Sequence, residues 1–373
     1  MSKNIIVKYN VIGPTLLGFG GSLYVAFETA IAFAKKGYNV CFDPILLHKK
    51  TRNLLMKIKE FYGVPEHDLI NIHIGKCVKN NSITMNLTGD FLSGKADIVY
   101  MHFPVFAKPR IYYPGLHGVY SLSANLYYIA NLIYKSTYFK KTKLVIANSS
   151  FTKKYLKQYI DKDIVIVYPP VNLEDILDKK PLSRTTRDKI ILFVSRLSYE
   201  KQPYKVLIVA EVLEKLGLKD WKIICAGSSS IYTDKLINSI QEIARRRNLD
   251  KYIIFLRDLP RIKLVELYRK AYVYVHLTSR EHFGITIIEA MAAGTPVIIP
   301  RSNSAWTDVA LKNANIALSY SDYNELKELL TKIIYDDKLW SKLSIASRER
   351  AKYFNRTRFH EEITKLVEEK LGI

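Results

Sequence analysis

Cysteine is scarce in this sequence: Cys41, Cys77 and Cys225 are the full complement in 373 residues, an odd and scattered set with no CxxC pair. That spacing argues against a thiolate metal site. It reads as a reducing, cytoplasmic setting in which each cysteine is a small core residue. No run approaches the roughly 20 apolar residues that a membrane-spanning helix needs. The start, Met1-Ser-Lys-Asn-Ile-Ile-Val-Lys-Tyr9, lacks a signal-peptide pattern and reads as a first strand. A full GxGxxG fingerprint with an acid placed for a ribose is also missing, which sets a nicotinamide site aside. Acidic residues vanish altogether from residues 101–160, which hold nine Lys/Arg.

Positive charge is what the chain has in excess, at a net +22. Residues 1–172 carry 22 Lys/Arg against 9 Asp/Glu, and the remaining 201 residues carry 35 against 26. The surplus is therefore concentrated in the first half. Such a balance fits an anionic membrane surface, nucleic acid or phosphorylated substrates. The length allows two domains, each with its own core. Abundant Lys, Ile and Tyr hints at a thermophile.

Along the chain, strand and helix patterns alternate. A strand over 4–9 leads to the glycine-rich loop Gly18-Phe-Gly-Gly-Ser22, a helix to Lys36 and a strand Tyr38–Phe42. Glycines between strand and helix let backbone approach a ligand closely. The strand Ile98-Val-Tyr-Met ends in His102-Phe-Pro104, where an α/β cleft would open. A lone His there is more often structural. Residues 103–141 interleave Tyr and Phe with Lys108, Arg110, Lys135, Lys140 and Lys141, and Leu122–Tyr138 is compatible with a helix. An interfacial helix wants rings at headgroup depth and cations on lipid phosphates. A core helix with a basic last turn reads almost as well. Nucleic acid is set aside, because no RNA- or DNA-binding motif accompanies the aromatics.

A strand over 143–148 is followed by Ser149 or Ser150 as a helix cap, then by a strand over 164–168 and the stiff connection Pro169-Pro170. The second half opens on the strand Lys189–Val194 and the loop Ser195-Arg196-Leu-Ser-Tyr-Glu-Lys201. Two cations five apart on such a loop can clamp a diphosphate, though taken alone they are a solvated loop. Helices at 202–216, 233–247 and 261–270 alternate with strands at 221–226, 252–256 and 271–277. Residues 278–300 then read as loop, helix and strand, with Glu281 and Glu289 eight apart around the helix start and Gly284 and Gly294 as breaks. A helix start suits an anion, and the carboxylates suit paired hydroxyls.

Glu281-His-Phe-Gly-Ile285 together with Glu289-Ala-Met-Ala-Ala-Gly-Thr-Pro-Val-Ile298 resembles the Glu-x7-Glu signature of retaining GT-B glycosyltransferases of family 4, also called glycosyltransferase group 1. Arg196 and Lys201 look like that family's phosphate-binding pair. His102-Phe-Pro104 is similar to the His-Tyr-Pro of dolichol-pathway α-1,2-mannosyltransferases, and Tyr168-Pro-Pro170 resembles the family's hinge. Arg257-Asp258 stand where the family usually shows Gly, which leaves the donor base open.

The resemblance implies an α/β chain of the GT-B type, with two Rossmann-like parallel-sheet domains facing across a cleft. Residues 1–170 would be the acceptor side, 171–350 would bind the nucleotide-sugar, and the helix in 351–373 would return to the first domain. It implies catalytic roles for His102, Glu281, Arg196 and Lys201. Donor binding would involve Gly20, Gly21, Arg196, Lys201, Glu281, His282, Phe283, Gly284, Ile285 and Glu289. In that scheme Glu289 holds ribose hydroxyls, Glu281 holds sugar hydroxyls, and backbone N–H groups from His282 to Ile285 meet the leaving diphosphate. No metal and no cofactor are expected, and no DxD-like acidic pair is placed beside these residues.

The expected activity is transfer of a hexose with retained configuration. GDP-mannose is the favoured donor, and a lipid-linked glycan at the inner face of the cell membrane is the favoured acceptor. Lys108, Arg110, Lys135, Lys140 and Lys141 would lie on the membrane or acceptor side. The alternatives are a soluble nucleotide-glucose-dependent transferase making a polysaccharide or small glycoside, and a catalytically silent nucleotide-binding protein that docks on membrane.

Overall fold

The computed structural model of the chain describes residues 4–10, 20–45, 59–60, 62–78, 81–109, 119–230 and 232–372. Arg110 and the first glycine of the 18–22 loop lie outside them. The chain divides into unit 1, Met1–Pro170 with Phe354–Ile373, and unit 2, Val171–Tyr353.

Unit 1 is built on seven parallel strands: β1 (Asn4–Asn10), β2 (Asn39–Ile45), β3 (Ile72–Ile74), β4 (Ser82–Asn86), β5 (Ile98–Met101), β6 (Leu144–Ala147) and β7 (Ile164–Ile166). Their order is β3-β2-β1-β4-β5-β6-β7. The apolar runs of β5 and β6 are buried on both faces, as a parallel sheet covered by helices requires. Helix α1 (Gly21–Lys35) follows β1 and is buried from Leu23 to Phe33. Helix α2 (Val119–Phe139) and helix α3 (Ser150–Leu156) follow. Ser149 caps α3, its Oγ accepting the Thr152 N–H at 3.2 Å.

Unit 2 has six parallel strands: β8 (Ile190–Val194), β9 (Lys222–Gly227), β10 (Ile253–Arg257), β11 (Val273–Val275), β12 (Val297–Pro300) and β13 (Leu318–Tyr320). Their order is β10-β9-β8-β11-β12-β13. Its α-helices of eight residues or more are α4 (Val206–Lys215), α5 (Thr233–Arg246), α6 (Arg261–Lys270), α7 (Ile285–Ala292), α8 (Tyr323–Tyr335) and α9 (Asp337–Ala351) among the described residues. Helix α10 (Arg356–Leu371) belongs to unit 1, where Phe359, Ile363 and Val367 bury themselves and pack on α1.

In each sheet the strand order reverses once, between β1 and β4 and between β8 and β11. Loops at the carboxyl ends of strands beside such a reversal form ligand crevices in open α/β sheets. The loop carrying Arg196 and Lys201 leaves β8, and the loop carrying Glu281 leaves β11, its direct neighbour. The sheet thus brings together two segments 80 positions apart in the chain.

The cysteines correct the sequence reading. Cys41 and Cys77 form a disulfide, and only Cys225 is a buried core residue with a thiol pushed up by burial. β2 pairs with β3, and the chain then turns back so that Gly75 N–H donates to the Phe42 carbonyl. That turn brings Cys77 to a Cα–Cα distance of 6.0 Å from Cys41. Sheet pairing creates this proximity, and a separation of 36 residues gives no motif to read. Cytosolic mesophile proteins rarely hold such a bond while hyperthermophile ones often do, so the cysteines no longer argue for a reducing compartment.

Candidate functional site

Glu281 lies at the centre of the charged cluster in unit 2. Its Oε2 accepts a hydrogen bond from Lys201 Nζ at 2.7 Å and faces His276 Nε2 at 3.3 Å. A carboxylate only accepts, so His276 presents Nε2–H to it. Oε1 accepts the N–H of His282 at 3.1 Å. Burial works to raise the Glu281 pKa, yet the Lys201 ammonium with His276 and His282 outweighs it and holds the group well below the usual carboxylate range. Burial in turn lowers both imidazoles, His282 to about 4, so at neutral pH both rings are uncharged beside a fixed anion.

The backbone around Glu281 is fastened from the next strand end. Glu281 N–H donates to Asn303 Oδ1 at 2.8 Å, and Ser304 donates its N–H and its hydroxyl to the Glu281 carbonyl at 3.2 and 3.1 Å. From the other side Lys205, lowered by burial to about 8, donates to the Leu277 carbonyl at 3.1 Å and to Ser279 Oγ at 2.8 Å. Gln202 and Arg280, each beside a charged residue of the cluster, adopt left-handed backbone at φ 56° and 59°. Such conformations cost about 1–3 kcal/mol each and persist only where surroundings enforce them.

Two glycines are sterically required here. Gly284 is the N-cap of α7 at φ 99°, and a Cβ there would lie 2.7 Å from Ile287 Cδ1. A Cβ on Gly227 would lie 1.6 Å from the carbonyl oxygen of Ser195, so the Arg196 loop can pass the end of β9 only over glycine.

The two cations expected to clamp a diphosphate each face a carboxylate. Arg196 Nη1 lies 3.8 Å from Glu200, and Lys201 pairs with Glu281. Within this cluster, Arg196 Nε and Asn303 Nδ2 are buried donors with no hydrogen-bond partner. Phe283 is buried and Ile285 is the first residue of α7. The carbonyl end of that helix is held by Arg187, which donates to the carbonyls of Ala293 and Gly294 at 2.9 and 3.0 Å and is lowered by burial to about 9. A cation at the C-terminal end complements the helix dipole and leaves the N-terminal end facing Glu281's loop.

Glu289, buried on α7, is already engaged at both oxygens. Arg261 Nη1 donates to Oε1, and Tyr268 Oη donates to Oε2 at 2.8 Å. Arg261 also grips Asp175 at 2.9 and 3.0 Å and the Asn172 carbonyl at 2.7 Å. Burial alone would depress that guanidinium; the carboxylates of Glu289 and Asp175 more than reverse it. A carboxylate offers about four lone-pair sites, so about two remain beyond these bonds. Tyr268→Phe, which leaves one oxygen of Glu289 unmatched, is expected to cost unit 2 about 1–3 kcal/mol in urea unfolding.

In unit 1, His102 follows β5 and is buried, its Nε2 lying 2.8 Å from the Leu87 carbonyl. A carbonyl only accepts, so Nε2 carries a proton. Gly20 is the N-cap of α1 and Gly21 its first residue; the Gly20 carbonyl accepts from Tyr62 Oη at 2.7 Å. Lys108, Lys140 and Lys141 are exposed, and Lys135 is half-buried. Sequence reasoning missed Arg261, Tyr268, Asn303 and His276. Only His276 carried a signal, as a polar residue inside an apolar strand run.

Residues 174–350 match the family described as Glycosyl transferases group 1. A "GDP-Man:Man(3)GlcNAc(2)-PP-Dol alpha-1,2-mannosyltransferase" of Caenorhabditis elegans is 24% identical over 276 residues, covering 65% of this chain and 57% of that relative. The chain thus spans less than two-thirds of that relative's length. The sucrose-phosphate synthase of Thermosynechococcus elongatus superposes over 100% of both chains at TM-score 0.69 and 17% identity. The Anabaena protein Alr3699/HepE, solved with UDP and glucose, superposes over 98% of this chain and 99% of its own at TM-score 0.70 and 14% identity. Residues 174–350 therefore form a glycosyl transferases group 1 domain, carried in a chain with the GT-B fold.

Proposed function

We propose that the protein is a retaining glycosyltransferase of family 4 that moves mannose from GDP-mannose to a lipid-linked glycan, working peripherally at the inner face of the cell membrane. One observation carries the reading. The buried donors Arg196 Nε and Asn303 Nδ2 lack acceptors on the same loops that hold Glu281 ionised. Buried donors in native proteins are almost always matched, and an oxygen-rich substrate supplies the acceptors these lack.

In this scheme Glu281 grips sugar hydroxyls and Glu289 uses its remaining lone pairs on the ribose. Arg196 and Lys201, with N–H groups at the start of α7, meet the charge that builds on the leaving diphosphate. Lys201 turns from Glu281 towards the phosphate as the donor enters. The bond from C1 to the phosphate oxygen breaks as C1 joins the acceptor oxygen on the same face. The acceptor's proton leaves on the diphosphate, so neither Glu is consumed as an acid or base. Positive side chains supply the neutralisation, and turnover is expected to be unchanged by EDTA.

A screen of nucleotide-sugars for nucleotide release tests the reading. GDP-mannose should give the highest turnover. Preference for UDP-glucose would replace the donor assignment, and no release with any donor would favour a catalytically silent binding protein.

A further inference from the structure

Helix α2 is apolar on two sides. The side turned to the domain buries Tyr138 and Phe139, with Leu132 packed beside them, and is also fastened by polar bonds. Tyr127 Oη donates to Asp90 Oδ2 at 2.8 Å, Asn131 Oδ1 accepts the Phe91 N–H at 3.2 Å, and Tyr138 Oη accepts from Asn86 Nδ2. The side turned away is aliphatic: Leu122, Leu126, Ile129 and Ile133 are 61, 59, 48 and 68% exposed. At 3.6 residues per turn these four fall within ~60° of arc, opposite Asn131. Single exposed aliphatics are ordinary, but a continuous stripe on one helix marks a site of contact.

The surroundings say what makes that contact. Lys140, Lys141 and Lys143 are exposed at the end of the helix, and residues 101–160 hold nine Lys/Arg and no acid. A second copy of this chain would bring the same cations against these. A lipid surface with anionic headgroups offers hydrocarbon to the stripe and phosphate to the lysines at once. Spanning is not the mode, because no helix among the described residues is long and apolar enough to cross a membrane. The polar bonds to Asp90 and Phe91 also keep α2 seated on its own domain.

We propose that α2 lies in the headgroup region of an anionic membrane, Leu122, Leu126, Ile129 and Ile133 entering the acyl boundary and Lys140 and Lys141 meeting phosphates. This deepens the membrane part of the function proposed above and rests on it. Lysines alone would give attraction that salt abolishes; an inserted stripe gives binding that survives moderate salt.

The test is co-sedimentation of the full chain with phosphatidylglycerol–phosphatidylcholine vesicles and with phosphatidylcholine alone, compared with Leu126→Ser/Ile129→Ser/Ile133→Ser and Lys140→Ala/Lys141→Ala. All three positions of the first variant are exposed, so folding should be retained, checked by circular dichroism. Wild type should favour the anionic vesicles, and each variant should lose at least tenfold in affinity. The serine variant should also lose the component that survives moderate salt. Unchanged vesicle binding by the serine variant overturns the proposal. So does a wild-type dimer in solution that the serine variant dissociates. Nucleotide release in the same variants separates the two readings. Lost vesicle binding with release intact supports the stripe, whereas absent release by a wild type that still binds vesicles refutes the transferase and leaves the stripe standing.

Discussion

Glu281→Gln should lower donor turnover by two to four orders of magnitude while leaving the fold intact. The carboxylate sits between Lys201 and His276 and is held ionised well below its ordinary range, burial notwithstanding. An anion so placed makes charge-assisted hydrogen bonds worth about 1.5–3 kcal/mol each, so two sugar hydroxyls account for about 3–6 kcal/mol. At about 1.4 kcal/mol per factor of ten, that is ~10²–10⁴ in rate if the contacts tighten at the transition state. The amide keeps the shape but leaves Lys201 without a counter-charge. Both kcat and kcat/KM should therefore fall, and the unfolding midpoint should drop modestly with the lost ion pair while circular dichroism shows the fold retained. Turnover within tenfold of wild type would remove Glu281 from the reacting centre.

Arg356→Ala should destabilise unit 1 by about 3–5 kcal/mol, the loss seen when one partner of a buried ionic cluster is removed. Arg356 Nε donates to Glu28 Oε1 at 2.9 Å and Nη2 to Asp68 Oδ2 at 2.6 Å, and the Glu28 and Asp68 side chains are 0 and 1% exposed. His360 Nε2 lies 2.7 Å from the other oxygen of Glu28, and Lys35 lies 2.7 Å from Asp68 Oδ1. The cluster ties α10 to α1, some 330 positions earlier in the chain. Burial would raise the Asp68 carboxyl, but Lys35 and Arg356 hold it below its usual range. Its folded pKa is thus under the unfolded value of about 3.9, so its stabilisation is complete above about pH 5 and lost as pH falls through that range. The gap between wild type and variant in urea unfolding should accordingly be widest near neutrality and narrow below about pH 4. A loss under 1 kcal/mol at pH 7 would show that α10 is held by its apolar face alone.

The α/β alternation and the GT-B fold were legible because parallel strands buried on both faces appear as short apolar runs, and because Glu281 to Gly294 is dense in informative residues. The helix read at 261–270 has those bounds in the structure. Helix α9 was not read at all. Its start depends on Asp336 accepting the Leu339 N–H at 2.8 Å, and its sequence, Asp337-Lys-Leu-Trp-Ser-Lys-Leu-Ser, carries little contrast between faces. Arg261, Tyr268 and Asn303 were illegible for a different reason. Each acts on a glutamate through sheet and helix packing, and nothing in local spacing marks an Arg 28 positions from its carboxylate. The disulfide partners escaped in the same way. In α2 the aliphatic residues were visible, but which face of the helix pointed outward was not, since contacts with the domain decide it.

Mass analysis of a lipid-linked oligosaccharide incubated with GDP-mannose, with wild type or Glu281→Gln, tests the central claim most directly. The account predicts one added hexose per transfer with wild type, in an α linkage that keeps the donor's configuration, and almost none with the variant. An unchanged acceptor with folded wild type across GDP-mannose and UDP-glucose, or equal transfer by both proteins, would contradict it.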